Sequence, residues 1–218
     1  MKFLYSSEAK NEKIYLENEQ FLHLKARRAK VGDRIDVRNL KDGQNYIYEI
    51  DEITRKSVGL SLVFAHSVES FESEFSIAWA VVDTKIIEKT LPFLNEMGVC
   101  KLIFFYADLS QRNFKIDTKR LERILIGSSE QCGRNSLMKI EIYKNLDELL
   151  KSYKNIALVD FGGEKLENYN GKELLVIGPE GGFSQNERER VLKKYGLSFK
   201  NILRAQTAIL SVTAKILA

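Results

Sequence analysis

The amino-acid sequence predicts an α/β protein whose parallel sheet is preceded by a small β-barrel. From Phe75 onward, apolar segments typical of buried strands alternate with segments of helical periodicity. Before residue 70, short runs of alternating apolar residues are separated by tight turns. Strands that alternate with helices form parallel sheets with helices on both faces, whereas consecutive short strands with tight turns favour a barrel.

The first 70 residues predict one helix, at about residues 20–30, followed by three strands. Alternating apolar residues place the strands around Ile35–Val37, Tyr46–Ile50 and Val58–Leu62, and Asp42-Gly43 predicts a turn between the first two. The polar stretch at residues 66–74 predicts a linker. We therefore expect one domain at residues 1–70 and a second at 71–218.

In the second domain, apolar runs predict strands at residues 77–82, 100–106, 138–143, 156–161 and 174–178. Between the first two strands, a helix should run through Met97 and stop at Gly98, with Pro92 kinking or shortening it. An amphipathic helix should begin at Asp117, and Asn145 should cap a short one.

The carboxyl-terminal part predicts two further helices. The sequence Ser184-Gln-Asn-Glu187 is a capping box, so it should begin a helix that Gly196 ends, before a brief strand at residues 201–203. The final segment, TAILSVTAKILA, is apolar on all sides. Such a helix must be covered either by its own domain or by a second subunit.

Composition and motifs exclude several classes of protein. The chain has 218 residues, 44% of them hydrophobic and 29% charged, which suits a folded domain pair. No apolar run is long enough to span a bilayer and no signal peptide is evident, so we expect a cytoplasmic protein with Cys100 and Cys132 as reduced thiols. His23 and His66 are far apart, and CxxC, HExxH and GxSxG are absent, so we expect no metal site and no hydrolase nucleophile.

Positive charge is concentrated in two segments, although the net charge is only +4. The first, residues 23–38, contains cations that suit phosphate groups of a ligand: Lys25, Arg27, Arg28, Lys30 and Arg34. The second spans residues 112–139. A solvated basic face is the alternative interpretation of either segment.

The most informative motif is GPEGG at residues 178–182, between a predicted strand and a predicted helix. It is neither GxGxxG nor a P-loop. Glycine at the carboxyl end of a strand lets a ligand lie against bare backbone, which suits an adenine edge or an amino-acid moiety. The alternative is an ordinary turn between strand and helix.

Two other segments accompany this motif. ILRAQTA, residues 202–208, is a second predicted strand-to-helix junction and carries Arg204 and Thr207. SSEQCGR, residues 128–134, ends an amphipathic helix and presents Arg134 after a glycine. An arginine beside a thiol lowers its pKa, but we expect Cys132 to be a packing residue.

Together, IGPEGGFSQNE, ILRAQTA and EQCGR resemble motifs of the bacterial 16S ribosomal RNA uridine-N3 methyltransferases, and the resemblance covers nearly the whole chain. Those enzymes belong to the SPOUT class. The resemblance implies an N-terminal PUA-like RNA-binding barrel and a SPOUT domain with a deep trefoil knot at about residues 175–218. It further implies S-adenosylmethionine as cofactor, 16S rRNA or the small ribosomal subunit as partner, and a homodimer formed through the knotted domains.

The resemblance also assigns roles to individual residues. Arg134 and Arg204 are the implied catalytic residues, stabilising negative charge on the uridine as its N3 proton leaves. The implied cofactor-binding residues are Ile177, Gly178, Pro179, Glu180, Gly181, Gly182, Leu197, Ile202, Leu203, Arg204, Ala205, Thr207 and Ala208.

The chain departs from the family pattern at three places. Gln206 stands where glutamate is usual, Cys132 stands where serine is usual, and the helix before NEMGV contains Pro92. The general base is left unassigned. Two alternatives follow from the same sequence: a non-catalytic RNA-binding factor in ribosome assembly, and a SPOUT methyltransferase that acts at a different RNA position.

Overall fold

The computed structural model describes residues 2–67 and 73–218, and these residues form two compact units. The first unit contains the described residues up to 67 together with Ile126–Leu137. The second contains the described residues from 73 to Leu125 and from Met138 to Ala218. The predicted boundary between residues 70 and 71 lies outside the described residues.

The first unit is built on a five-stranded sheet with the strand order β1-β3-β4-β5-β2. Its elements are β1 (Leu4–Tyr5), β2 (Lys13–Glu17), α1 (Asn18–Ala26), β3 (Arg34–Arg38), β4 (Gln44–Ile53) and β5 (Ser57–Ser67). The predicted helix and the three predicted strands are present, whereas β1 and β2 were not predicted. Ile14 and Leu16 of β2 alternate with exposed residues and enter a core with Tyr48 and Leu60.

The segment Ile126–Leu137 is hydrogen-bonded to the amino-terminal strands. The carboxylate of Glu130 accepts from the amide of Tyr5 at 2.7 Å, and burial raises the pKa of this carboxyl. Asn135 donates to the carbonyl of Gly43 at 2.7 Å. Arg38 donates to the carbonyl of Gly133 at 3.1 Å while its guanidinium pairs with Asp36 at 2.7 Å. Arg38 is therefore a buried structural cation and not part of a solvated basic face.

The second unit is a six-stranded sheet with the strand order β11-β9-β10-β6-β7-β8, and its strands pair in parallel. The strands are β6 (Ser76–Ala80), β7 (Lys101–Phe105), β8 (Lys139–Tyr143), β9 (Ile156–Lys165), β10 (Leu174–Ile177) and β11 (Lys194–Gly196). The helices are α2 (Thr84–Glu96), α4 (Leu146–Ser152), α5 (Gln185–Arg190), α6 (Ala205–Leu217) and the part of α3 (Thr118–Cys132) before Ile126. The predicted alternation of strands and helices is confirmed.

Helix ends in this unit follow the local sequence signals. Asn145 caps α4 by accepting from the amide of Glu148 at 2.9 Å. Gly98 lies just beyond α2 with a φ of +88°, in the left-handed region where helices commonly end. Pro92 lies inside α2, and the helix continues past it to Glu96, so the predicted shortening is wrong.

The prediction for residues 191–203 is also wrong. Helix α5 ends at Arg190, the brief strand is Lys194–Gly196, and residues 201–203 form no strand. The sequence of this segment predicted a helix, but the chain is extended at residues 194–196, where β11 pairs with β9 and Tyr195 is buried. A Cβ atom at Gly163 of β9 would lie 2.6 Å from the backbone of Tyr195, so this close pairing requires glycine there. Tertiary packing overrides local helical preference.

The final helix α6 packs against α2 and β10. Ala205, Ile209, Val212 and Thr213 are its buried residues, whereas Thr207, Ala214 and Lys215 are exposed. One side of the helix is therefore not covered by the described part of its own chain. None of the described helices has the length and hydrophobicity to cross a membrane.

Candidate functional site

The GPEGG motif forms a tight turn at the carboxyl end of β10, an interior strand between β9 and β6. The amide of Gly182 donates to the carbonyl of Pro179 at 2.9 Å, and Gly182 has a φ of +71°. Gly178 and Pro179 are buried, while Glu180 and Gly181 are exposed at the tip. The turn thus presents bare backbone at the edge of a parallel sheet where ligands commonly bind.

The turn leaves little room for a side chain at its base. A Cβ atom at Gly178 would lie 3.3 Å from Cα of Gly182 and from the ring of Phe183. Phe183 is itself buried in the core beneath the turn. Gly178 therefore meets a steric requirement of this turn. An ordinary turn between a strand and a helix, the alternative given in the sequence analysis, has no such requirement.

Glu187 holds the far end of this loop in place. Its buried carboxylate is 1% exposed and accepts from the amide of Ser184 at 2.9 Å through one oxygen. Through the other oxygen it accepts from the amide of Asp108 at 3.0 Å. The hydroxyl of Ser184 caps α5 and also donates to the carboxylate of Asp108 at 2.5 Å. The capping box is confirmed, and it also joins the loop to the segment after β7.

The segment after β7 is a part of the site that the sequence analysis missed. Ser110 closes a turn with Ala107 through hydrogen bonds of 3.0 and 3.2 Å. Leu109 is 51% exposed, and a Cβ atom at Gly181 would lie 3.3 Å from its side chain. The carboxyl ends of parallel strands meet at one edge of a sheet. The position of these residues directly after the strand LIFF could therefore have indicated that they belong to the site.

A partly buried ion pair anchors α5 beside the loop. Arg188 binds the carboxylate of Asp160 in β9 with two contacts of 2.6 and 3.3 Å, and the Asp160 side chain is only 6% exposed. This hydrogen bond raises the pKa of Arg188. A terminal nitrogen of the guanidinium lies 3.6 Å from the position of a Cβ atom on Gly182. The loop therefore follows β10 directly and is connected to β9 through Arg188 and Asp160.

The second predicted segment, residues 202–208, leads into α6. Arg204 is exposed at the N-cap and makes no side-chain cap hydrogen bond. Ala205 is buried, Leu203 and Ala208 are half-buried, and Thr207 is exposed. The Oε1 atom of Gln206 is buried and accepts no hydrogen bond from the described residues. An uncapped helix start and an unsatisfied buried acceptor leave polar groups here that a ligand can satisfy.

Ahead of this segment, Leu197 lines a cleft of about 500 Å³ together with Ser198, Phe199 and the α6 residues Ser211, Ala214 and Lys215. Its lining combines apolar and small side chains with one cation, Lys215, and it lies beside the exposed side of α6. Leu197 thus lies in the second unit, as do the remaining residues predicted to bind the cofactor.

Arg134 and Cys132 belong to the first unit. Arg134 is half-buried, and its Nε lies 3.3 Å from the hydroxyl of Ser136. Cys132 is exposed, so the prediction of a packing role is wrong. It lies at the last position of α3, where the chain leaves the helix and the side chain faces solvent.

Of the predicted RNA-binding cations, Lys25, Arg27, Arg28 and Lys30 are exposed at or after the end of α1. Arg34 is exposed in β3 and lies 3.5 Å from Glu49, so it is partly neutralised. Among residues 2–67 and 73–218, no group of three or more histidine, cysteine or acidic side chains could hold a metal ion.

Comparison with known proteins identifies the family. The RNA methyltransferase domain family matches residues 69–217, and the RNA methyltransferase PUA domain family matches residues 16–63. A Helicobacter pylori protein named ribosomal RNA small subunit methyltransferase E is 44% identical over 98% of both chains. A second Helicobacter pylori protein of the same name is 42% identical with the same coverage.

This chain belongs to the ribosomal RNA small subunit methyltransferase E family. The resemblance noted in the sequence is therefore confirmed, as is the predicted class of enzyme, an RNA methyltransferase.

Solved structures confirm the fold class of this methyltransferase E family member. A probable rRNA methyltransferase from Porphyromonas gingivalis aligns with a TM-score of 0.84 at 24% identity, covering 99% of this chain and 97% of that one. Ribosomal RNA small subunit methyltransferase E from Neisseria gonorrhoeae, solved with bound S-adenosylmethionine, aligns with a TM-score of 0.81 at 20% identity, covering 99% and 96%. The SPOUT-type sheet and PUA-like unit predicted from the sequence are thus present.

Proposed function

We propose that this protein uses S-adenosylmethionine to methylate N3 of a specific uridine in 16S rRNA. The observation that carries the proposal is the glycine turn at residues 178–182, held open at the carboxyl end of β10 by Glu187 and Arg188. The names of the related proteins and the family of the chain support it. The cofactor, when bound, supplies an electrophilic methyl group on a sulfonium.

The residues present fit this cofactor. Exposed backbone at Glu180 and Gly181 supplies amides and carbonyls for an adenine edge, and Leu109 and Ile177 supply apolar contact. The uncapped start of α6 and the unsatisfied Gln206 supply polar groups for the rest of the molecule. We assign binding to the set predicted from the sequence, Ile177 to Gly182, Leu197, Ile202 to Ala205, Thr207 and Ala208, and add Leu109. We place the trefoil knot at about residues 175–218, so that both junctions line one pocket.

Two arginines are proposed to act on the uridine. Its N3 becomes nucleophilic only when its proton leaves, and the negative charge then spreads to O2 and O4. A guanidinium close to these oxygens stabilises that charge in a site shielded from water. Arg204 is suited to this role because it is exposed at the N-cap of α6. Arg134, half-buried after Gly133, is the second candidate.

We further propose that the protein is a cytoplasmic homodimer formed through the second unit. Leu192 and Ile202 are 85% and 81% exposed, and Phe199 is 57% exposed. Phe199 lines one cleft with Ala214 of α6, and a second copy would cover these exposed apolar side chains. Light scattering should give twice the chain mass, and Ile202→Glu should halve it.

The first unit is proposed to bind RNA near the target uridine. N3 lies on the Watson–Crick edge of the base, so the target must be unpaired or flipped out before it reacts. The exposed cations at the end of α1 are suited to the flanking phosphates. The candidates are those predicted from the sequence: Lys25, Arg27, Arg28, Lys30 and Arg34.

A non-catalytic role in ribosome assembly is the second candidate function. Gln206 favours it, because this position carries glutamate in the family pattern. The intact turn at residues 178–182 and its support by Glu187 favour catalysis.

Nucleoside digests of 16S rRNA distinguish the two functions. Cells that carry the gene should contain 3-methyluridine in this RNA, and cells that lack the gene should not. Equal amounts in both would contradict the proposed methylation. A Glu187→Ala variant expressed in the deletion strain should restore little of the modification.

A further inference from the structure

The first unit contains a groove of about 460 Å³ between α1 and the hairpin formed by β4 and β5. Three cations line it: Lys25 and Arg28 from the end of α1, and Arg55 from the turn of the hairpin. No carboxylate is among the described residues that line it. A groove with positive charge on both walls attracts an anion.

The floor of the groove is apolar. It is formed by Phe21 and Leu24 of α1 and by Ile53 and Val58 of the hairpin. Ile53 is 43% exposed, and the amino group of Lys25 lies 6.0 Å from the centre of the Phe21 ring. A ligand that suits this groove has a flat apolar part and an anionic part.

The backbone at Arg28 does not explain why arginine is present. Helix α1 ends with the amide of Arg28 donating to Lys25 at 3.0 Å and the amide of Ala29 donating to Leu24 at 3.1 Å. This pattern places Arg28 in the left-handed region, with a φ of +56°, where glycine is favoured. Lys25 and Arg28 also suit the negative end of the helix dipole, but Arg55 belongs to another element and has no such explanation.

The turn that carries Arg55 is well defined. The hydroxyl of Thr54 accepts from the amides of Lys56 and Ser57 at 3.2 and 3.0 Å. The amide of Thr54 also donates to the carbonyl of Ser57 at 2.9 Å. Arg55 and Lys56 are both exposed on this turn, but only Arg55 lines the groove. The chain therefore provides a matched pair of adjacent cations.

We infer that this groove binds one unpaired nucleotide of an RNA strand, with the base on the apolar floor and phosphates held by Lys25, Arg28 and Arg55. The inference rests on the proposed function, because it specifies how the first unit holds RNA beside the modified uridine. Unpaired RNA offers an exposed base face next to a phosphate, a combination that a duplex conceals. Arg27, Lys30 and Arg34, which were predicted from charge alone, lie outside the groove lining.

The test measures binding of the full chain to a fluorescent, unstructured oligouridine over a range of salt concentrations. Arg55→Ala should weaken binding about tenfold and reduce the slope of log K against log salt by about one. Lys56→Ala should change affinity less than about twofold, because it removes the same charge from the same turn outside the groove. Equal effects of the two substitutions would overturn the inference.

Further binding measurements test whether the base lies on the apolar floor of the groove. An abasic strand and a duplex of equal length should each bind more weakly than the oligouridine. Ile53→Ser should remove the preference over the abasic strand while leaving the salt slope unchanged. Indifference of the wild type to either competitor, or tighter binding of an acidic peptide such as polyglutamate, would overturn the inference. Thermal melts check that each variant is folded.

These results are separable from the proposed function. If the groove is wrong but the function is right, Arg55→Ala still binds RNA normally and 3-methyluridine still forms in 16S rRNA. If the function is wrong but the groove is right, the matched pair differs in RNA binding while no 3-methyluridine is detected.

Discussion

The carboxylate of Glu187 accepts a hydrogen bond of 3.0 Å from the backbone amide of Asp108, which lies 79 residues earlier in the chain. The same carboxylate accepts from the amide of Ser184 at 2.9 Å. One buried side chain therefore joins the loop after β7 to the loop after β10. These are the two segments between which Leu109 approaches Gly181.

Replacing Glu187 should weaken cofactor binding in two steps. Glu187→Gln keeps one acceptor oxygen and places an amide donor against a backbone donor, whereas Glu187→Ala removes both acceptors and leaves the two amides unsatisfied. Each lost hydrogen bond should lower the free energy of unfolding by about 1–3 kcal/mol. Calorimetry with S-adenosylmethionine should rank affinity as wild type, then Gln, then Ala.

Glu189 provides the control for this series. It lies two residues later on the same helix and is exposed. Glu189→Gln should therefore change neither stability nor cofactor affinity. Wild-type affinity in Glu187→Ala would mean that the loop does not depend on this carboxylate.

Gly182 and Gly171 separate backbone strain from a role in the site. Both have positive φ angles, +71° and +81°. Alanine at either position should cost about 1 kcal/mol in stability because a Cβ atom disfavours this conformation. Gly171 lies in an exposed turn with no atom within 4 Å of a Cβ position, whereas Gly182 lies in the turn at residues 178–182. Only Gly182→Ala should lose cofactor affinity by calorimetry, and equal affinities in the two variants would count against the turn as the binding site.

Arg134 should act on turnover and not on cofactor binding. Arg134→Gln should reduce kcat by about 100-fold if it removes one stabilising contact to the uridine oxygens. Arg123, an exposed arginine on α3, serves as the control, and Arg123→Gln should keep the wild-type rate. Single-turnover methylation with excess enzyme measures the effect, and a normal rate in Arg134→Gln would assign the role to Arg204 alone.

A polar cluster around Glu141 of β8 should make stability depend on pH. Burial alone would raise the carboxyl pKa of Glu141, but hydrogen bonds from Lys101, Tyr153 and Tyr143 bring it below its ordinary value of 4.5. A lowered folded-state pKa stabilises the protein above the unfolded-state value, and that stability is lost as pH falls through the folded-state pKa.

Denaturant unfolding across this range provides the measurement. Glu141→Gln should be less stable than the wild type near neutral pH, and the difference should shrink as the solution is acidified below 4.5. The exposed Glu122 is the control, and Glu122→Gln should follow the wild type. A difference for Glu141→Gln that does not change with pH would mean that the carboxylate is not stabilised by this cluster.

Sequence reasoning succeeded where one local signal determines the structure. The capping box at Ser184, the cap at Asn145 and the glycine after α2 all act over a few residues, so each could be predicted. The turn at residues 178–182 was found for the same reason, since Gly178 makes its close contacts with Gly182 and Phe183 and Gly182 has a positive φ.

The failures share a different physical cause. The chain at residues 194–196 is extended because it pairs with β9 beside Gly163. This partner is about 30 residues away, so the local pattern of apolar residues could not reveal it. The contacts of Glu187 with Asp108 and of Arg38 with Gly133 are more remote in sequence, at 79 and 95 residues. The sequence likewise shows where the cations are, but it does not show which of them can bind a ligand. Arg38 is buried and has a structural role, whereas Arg55 of the hairpin lies near the end of α1.

The most direct test of the account uses the purified protein, S-adenosylmethionine with an isotopically labelled methyl group, and small ribosomal subunits from cells that lack the gene. Mass spectrometry of the digested 16S rRNA should find the label in 3-methyluridine at one position, and Gly182→Ala should abolish it. Label at another atom or in another nucleoside, or no incorporation by the folded wild-type protein, would contradict the account.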